Sequence, residues 1–321
     1  MLKKWIQGLS LLALSSAASA AGLTLPPLAA GLGAVSKTVP AAAGVPARAP
    51  FAVIVDSRSA AVFDENRLYD ILAQFDVVYA GEKHDEALHH EIQAAVLKGL
   101  HARRPDLIVG LEMLDITQQE TLDRYLDGSL AEGEFAAFWK QAWGFDFALY
   151  RPILHYAKSR GVAVRALNAP RAVISQVARG GLDSLGPEQR AQIPPVIRPI
   201  RDPRYLEYVR KAFEGHGPLP PERLRRMLQA QAVWNETMAA NALRAAAGGA
   251  PVLVIAGSGH MVFGAGIAES LRTRSTVSQR VVLPYPQDGE QRALRELLRE
   301  LRRPDSAERG QADFFWLLPA P

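Results

Sequence analysis

The 321-residue chain contains no cysteine. It can therefore form no disulfide and no thiolate metal centre, so any metal must be held by His, Asp, Glu or Tyr. Charge of one sign is also scarce. With 37 basic and 33 acidic residues the formal net charge is only +4, and no concentrated basic stripe marks a nucleic-acid interface. Three catalytic signatures are missing as well. His84 and His89 are five positions apart, about 140° on one helix, so no HExxH zinc motif exists. Ser258 is flanked by Ala256 and His260 where a nucleophile elbow needs glycines, which counts against a serine esterase. GSGHMVFGAG lacks the Gly-Lys-Ser/Thr ending of a phosphate loop.

The N-terminus reads MLKKWIQGLSLLALSSAASAAGL. Lys3 and Lys4 form a basic n-region, Ile6 to Leu14 a short apolar core, and Ala18-Ser19-Ala20 a cleavage signal. That core is too short to span a bilayer, which takes roughly 20 residues. A cleaved secretory signal over residues 1–20 is expected, with an exported chain starting at Ala21. Loss of Lys3 and Lys4 takes the charge from +4 to +2, and the cleavage point has no cysteine to carry a lipid. Residues 21–50, rich in Ala, Gly and Pro, have the composition of a linker. Residues 51–321 form the expected folded unit, with a helical insertion at about 172–248.

Within that unit four apolar runs, Val77–Ala80, Leu107–Val109, Val162–Val164 and Val252–Ile255, lack strict alternation, the mark of strands buried on both faces. Helix-like segments separate them. The expected fold is α/β: a mostly parallel sheet flanked by helices, with a small helical cap over the strand ends. FAVIVDSRSAAVFD reads as an edge hairpin turning at Asp56 to Ser59, EQRALRELLRELRR as an amphipathic helix, and FFWLL as a last strand.

The residues directly after each run carry the chemistry. The first run leads into Gly81-Glu82-Lys83-His84, the second into Gly110, Leu111 and Glu112, the third into Asn168, Pro170 and Arg171, and the fourth into Gly257-Ser258-Gly259-His260. In open α/β sheets the crevice at the carboxyl ends of the strands is where ligands bind. The two Gly-x-x-His turns provide for positive φ and close backbone approach. Asp85 to Ala102 reads as a helix whose apolar arc holds Leu88, Ile92, Val96 and Leu100, with His90 and His101 on the other side. His89 and Gln93 fall within the arc and need buried partners.

Three readings of this edge stay open. Glu82, His84, Glu112 and His260 could hold a divalent ion; the same groups could activate water, with Arg171 stabilising an anion; or the cluster could serve binding alone. His101 and His155 on helices, and Trp139, Trp143, Phe145 and Trp234, are read as packing or solvated residues.

GEKHDEALHHEIQ, LYRPILHYAKSRGVAVRALNAPR, QAVWNETMAANAL and GSGHMVFGAGI, in that order, resemble the ChaN-like haem-binding uptake family of the TIKI and erythromycin-esterase-like superfamily. The likeness runs from about Val53 to Pro284. It implies an α/β core with a helical subdomain and a role in haem or iron acquisition at the bacterial envelope. Haem is the implied cofactor, and a homodimer and envelope uptake components are the implied partners. Superfamily relatives use the paired Gly-x-x-His motifs and a Glu in metal-dependent or water-activating hydrolysis, matched here by Glu82, His84, Glu112 and His260. The resemblance departs in two places. Many relatives are lipoproteins, and the missing cysteine points instead to a periplasmic form without a lipid. The family's haem-ligating Tyr has no matching position, which leaves Tyr150, Tyr205 and His216 as candidates, with His89, Gln93, Asn168 and Arg171 as further cofactor-facing residues.

Overall fold

The computed structural model describes residues 52–214, 219–285, 294–303, 306, 308 and 310–318. The expected signal segment, the linker and His216 lie outside the described residues. Eight strands form one open sheet: β1 (Ile54–Asp56), β2 (Val62–Phe63), β3 (Val77–Glu82), β4 (Ile108–Asp115), β5 (Ala163–Asn168), β6 (Val252–Gly257), β7 (Gln279–Tyr285) and β8 (Phe314–Leu317). Their order is β2-β1-β8-β7-β3-β6-β4-β5. Every pairing from β8 to β5 is parallel, and only the β1–β2 hairpin and its contact with β8 are antiparallel. The four apolar runs became β3 to β6, and the hairpin and the FFWLL strand formed where the sequence placed them. β7 was not expected, although it carries a short apolar run, Val281-Val282-Leu283, which is followed by Pro284.

β3 and β6 are buried along their whole length because helices cover both faces of the sheet. Side chains alternate between the two layers. Val78, Ala80, Leu253 and Ile255 pack with the helices that precede β5, among them Glu65–Leu72, Ala87–His101 and Phe147–Arg160. Val77, Tyr79, Val252 and Val254 pack against Val209, Met238, Ala242 and Leu271 of the helices that come after it. Each fully buried aliphatic side chain stabilises the fold by about 1.5–3 kcal/mol relative to exposure.

Between β5 and β6 lie several helices, of which Arg171–Gly180, Pro203–Glu214 and the 25-residue Pro221–Ala245 are the longest among the described residues. A separate apolar cluster of Val173, Ile174, Val177, Ala230 and Val233 ties the first of these to the last. The last thus contacts the sheet with one face and the preceding helix with another. No helix among the described residues is long and apolar enough to cross a membrane.

The helix expected over 85–102 spans Ala87–His101, and its first turn is rotated relative to the expected arc. Leu88 is 37% exposed and His90 only 1%. That turn lies beyond the strand ends, where its buried face meets polar side chains instead of the sheet, so the apolar arc stops being the guide to burial.

Candidate functional site

Register brings the site together. β3 and β6 pair residue for residue up to Glu82 opposite Gly257. β4 pairs with β6 as far as Leu111, and its ladder with β5 is broken between Leu111 and Asp115. Glu112 lies in that break, where a register shift re-aims a side chain. Glu82, His84, Glu112 and His260 are at most 4% exposed.

They form two carboxylate–imidazole pairs. In the first, Glu82 Oε1 contacts His84 Nδ1 and also accepts a hydrogen bond from the Tyr150 hydroxyl at 3.2 Å. His90 Nε2 lies 3.5 Å from Glu82 Oε2. Its Nδ1 is 3.0 Å from Gln93 Oε1, and Gln93 in turn donates to the Ala80 carbonyl at 3.0 Å. In the second pair, Glu112 Oε1 is 3.2 Å from His260 Nε2, while Oε2 accepts the Gly257 N–H at 2.6 Å. The other face of His260 is set by the long helix. Nδ1 lies 2.9 Å from Asn235 Oδ1 and 3.2 Å from Gln231 Nε2, and both amides donate to the Tyr205 hydroxyl.

Gly257 separates the pairs. A Cβ there would stand 2.8 Å from His84 Cε1 and 3.6 Å from Glu112 Oε2, so only glycine lets the imidazole lie over β6. Of the glycines in the two Gly-x-x-His turns, Gly257 serves this close approach and Gly81 another, where a Cβ would meet Leu283 Cδ2 at 2.2 Å; none of them has positive φ. Positive φ comes later in the segment, at Phe263, Gly264 and Gly266 (56°), and at Gly266 a Cβ would meet the His260 carbonyl at 2.2 Å.

Electrostatics divide the roles. Burial disfavours a charged His84, but Glu82, Glu112 and Asp85 outweigh it and raise its pKa to about 9. At neutral pH His84 is an imidazolium and can donate a proton. Burial pushes the Glu112 carboxyl up, but His260, His84 and the Gly257 N–H bring it down to about 2. His89 is lowered to about 3 by burial and by the nearby His90 and Lys83 charges. Its neutral ring accepts the Lys83 N–H at 2.9 Å and so shapes the turn that presents His84.

The sequence-predicted residues divide accordingly. Gln93 braces His90, and Asn168 donates to the Glu112 carbonyl oxygen at 3.0 Å, so both are positioning residues. Arg171 is exposed, and its side chain joins no hydrogen bond or ion pair among the described residues. Tyr150 and Tyr205 are present but buried, with hydroxyls already engaged and pKa values raised by burial. The divalent-ion site finds no support. Among the described residues no group of three or more His, Asp or Glu is arranged to hold a metal. The Glu82 and Glu112 carboxylates instead face imidazoles and a backbone N–H.

Sequence reasoning missed His90, Gln231 and Asn235. The last two lie one helical turn apart on a polar stripe of the long helix, a signal that was present but unread. Trp143 and Phe145, read as packing, line the site. Their rings stand 4.7 and 5.2 Å from that of His84, and the Trp143 indole N–H donates to the Tyr150 hydroxyl at 3.1 Å.

A mostly parallel α/β sheet whose carboxyl edge carries two buried Glu–His pairs defines the class of protein. The family model described as haem-binding uptake, Tiki superfamily, ChaN matches residues 68–271, and the chain belongs to that family. A solved structure showing cofacial heme binding to ChaN of Campylobacter jejuni is similar in fold. It has a TM-score of 0.64 at 19% identity and covers 84% of this chain and 98% of that one. An erythromycin esterase, EreC, matches at a TM-score of 0.43 and 12% identity over 69% of this chain and 74% of that one. The chloroplastic protein RETICULATA-RELATED 5 of Arabidopsis thaliana is 26% identical over 274 residues, 79% of this chain. The chain spans only 35% of that relative's length.

Proposed function

We propose that this protein is an exported haem-binding protein serving haem or iron uptake. The observation that carries the reading is the family match over residues 68–271. The signal-like N-terminus supports export to the periplasm. The buried cluster does not fit as the place of axial ligation, because the Tyr150 and Tyr205 hydroxyls are inside the fold and hydrogen-bonded. This favours haem ligation outside the cluster, at a face shared by two copies of the chain. Titration of the full chain with haemin tests this. A saturable Soret shift is expected, and its absence removes the reading. Substituting the less buried His101, His155, Tyr156 and Tyr208, together with His216, identifies the ligand by loss of that shift.

A second reading, acid/base hydrolysis without a metal, is favoured by one observation: an imidazolium at His84 lies beside the Glu112 carboxylate. A panel of esters and peptides tests it, and turnover that survives His84→Ala eliminates it.

A further inference from the structure

A second feature lies away from the Glu–His cluster. A cavity of about 420 Å³ opens between the segment around Ile193 to Arg198, the long helix Pro221–Ala245 and the loop carrying Arg274. Its size is within the range of small-molecule sites. Among the described residues its wall holds three guanidiniums, Arg198, Arg244 and Arg274, and no carboxylate. Behind the wall the buried Glu236 pairs with Arg198, at 3.3 Å, and with Arg274. One acid thus offsets part of the charge and leaves an excess of positive charge facing the cavity.

The long helix supplies a built surface. Thr237, Asn241 and Arg244 stand at i, i+4 and i+7 on one stripe. This stripe is turned away from the Gln231 and Asn235 side chains that hold His260. The Asn241 amide is anchored to the Leu167 carbonyl at the end of β5 at 2.7 Å, and its oxygen accepts from Arg244 Nη1, which orients that guanidinium. Thr237 is 2% exposed and its hydroxyl has no hydrogen-bond partner among the described residues. An unpartnered buried hydroxyl on the wall of a cationic cavity is a costly arrangement unless a ligand completes it. The opposite wall is apolar, with Ile193 buried and Val196 54% exposed at its edge.

We propose that this cavity binds a small organic carboxylate. The carboxylate is held by Arg198, Arg244 and the Thr237 hydroxyl, and the carbon chain lies against Ile193 and Val196. Planar guanidinium forks match an oxyanion in two-point contact, and the apolar wall selects a carbon-bearing anion over an inorganic one. The proposal does not rest on haem binding and survives the failure of that reading.

Calorimetric titration of the full chain with linear carboxylates from acetate to hexanoate, and with inorganic phosphate, tests it. Affinity is expected to rise along the series by about fourfold for each methylene buried. Phosphate is expected to bind more weakly than the longest acid. Arg244→Gln, at an exposed position that leaves the core intact, weakens binding by about tenfold or more. Thr237→Val, which keeps the shape and removes only the hydroxyl, weakens it by roughly fivefold to tenfold. The proposal is overturned if no carboxylate binds at millimolar concentration, if phosphate binds as well as hexanoate, or if Arg244→Gln binds unchanged.

Discussion

The two Glu–His pairs are chemically alike and built in opposite ways. Glu82 and His84 are two residues apart at the end of one strand, and a third imidazole, His90, reaches them from the next helix. Glu112 and His260 are 148 positions apart, one in the irregular end of β4 and the other on the turn after β6, and are braced by a helix that belongs to neither. The near pair is a local turn made polar. The far pair exists only because β4 and β6 are neighbours and the ladder breaks at Glu112. Burial makes both strong, and distance in the chain makes the second depend on the whole fold.

The largest effect is expected from breaking the far pair. Glu112→Ala strands His260 and the Gly257 N–H in a buried site and should cost about 3–5 kcal/mol, read as a lowered urea midpoint. A variant that unfolds at the wild-type midpoint contradicts the role assigned to that pair.

The near pair sets the alkaline limb of stability. His84 has a folded pKa near 9, above the ordinary value of 6.5. Its contribution is fully present below about pH 6.5 and is lost as pH rises through about 9, on the order of 3 kcal/mol. Glu82→Gln should flatten this limb. The acid limb has two sources of the opposite sign. Glu112, near 2 in the fold against 4.5, loses its contribution as pH falls from about 4.5 to 2. His89, buried neutral with a pKa near 3, loses its own as pH falls from about 6.5 to 3. Denaturant midpoints measured across pH should therefore peak near neutrality, and a flat profile refutes the assignment.

A smaller effect tests the boundary between the pairs. Gly257→Ala places a methyl against the His84 ring and should destabilise by about 1–3 kcal/mol through overpacking. It should also lower the His84 pKa, measured by imidazole NMR titration, if the ring is displaced from Glu82. The smallest effect belongs outside both pairs. Arg171→Ala should change stability by less than about 0.5 kcal/mol and leave the His84 titration unchanged, whereas a shifted titration returns Arg171 to the site.

Much of this protein was written in local pattern. Buried runs such as VVYA and VLVI, separated by helical segments, determined a parallel α/β sheet, because apolar periodicity is a property of neighbouring residues. Polar residues directly after those runs marked the carboxyl edge, and Glu82 and His84 stood out there because only one residue separates them. Tertiary structure decided the rest. It placed β7 inside the sheet, rotated His90 inward, left Arg171 exposed, and brought Gln231 and Asn235 to His260. None of these comes from a local period: each depends on which distant surface a side chain meets, and that is fixed only when the strands take their order and register.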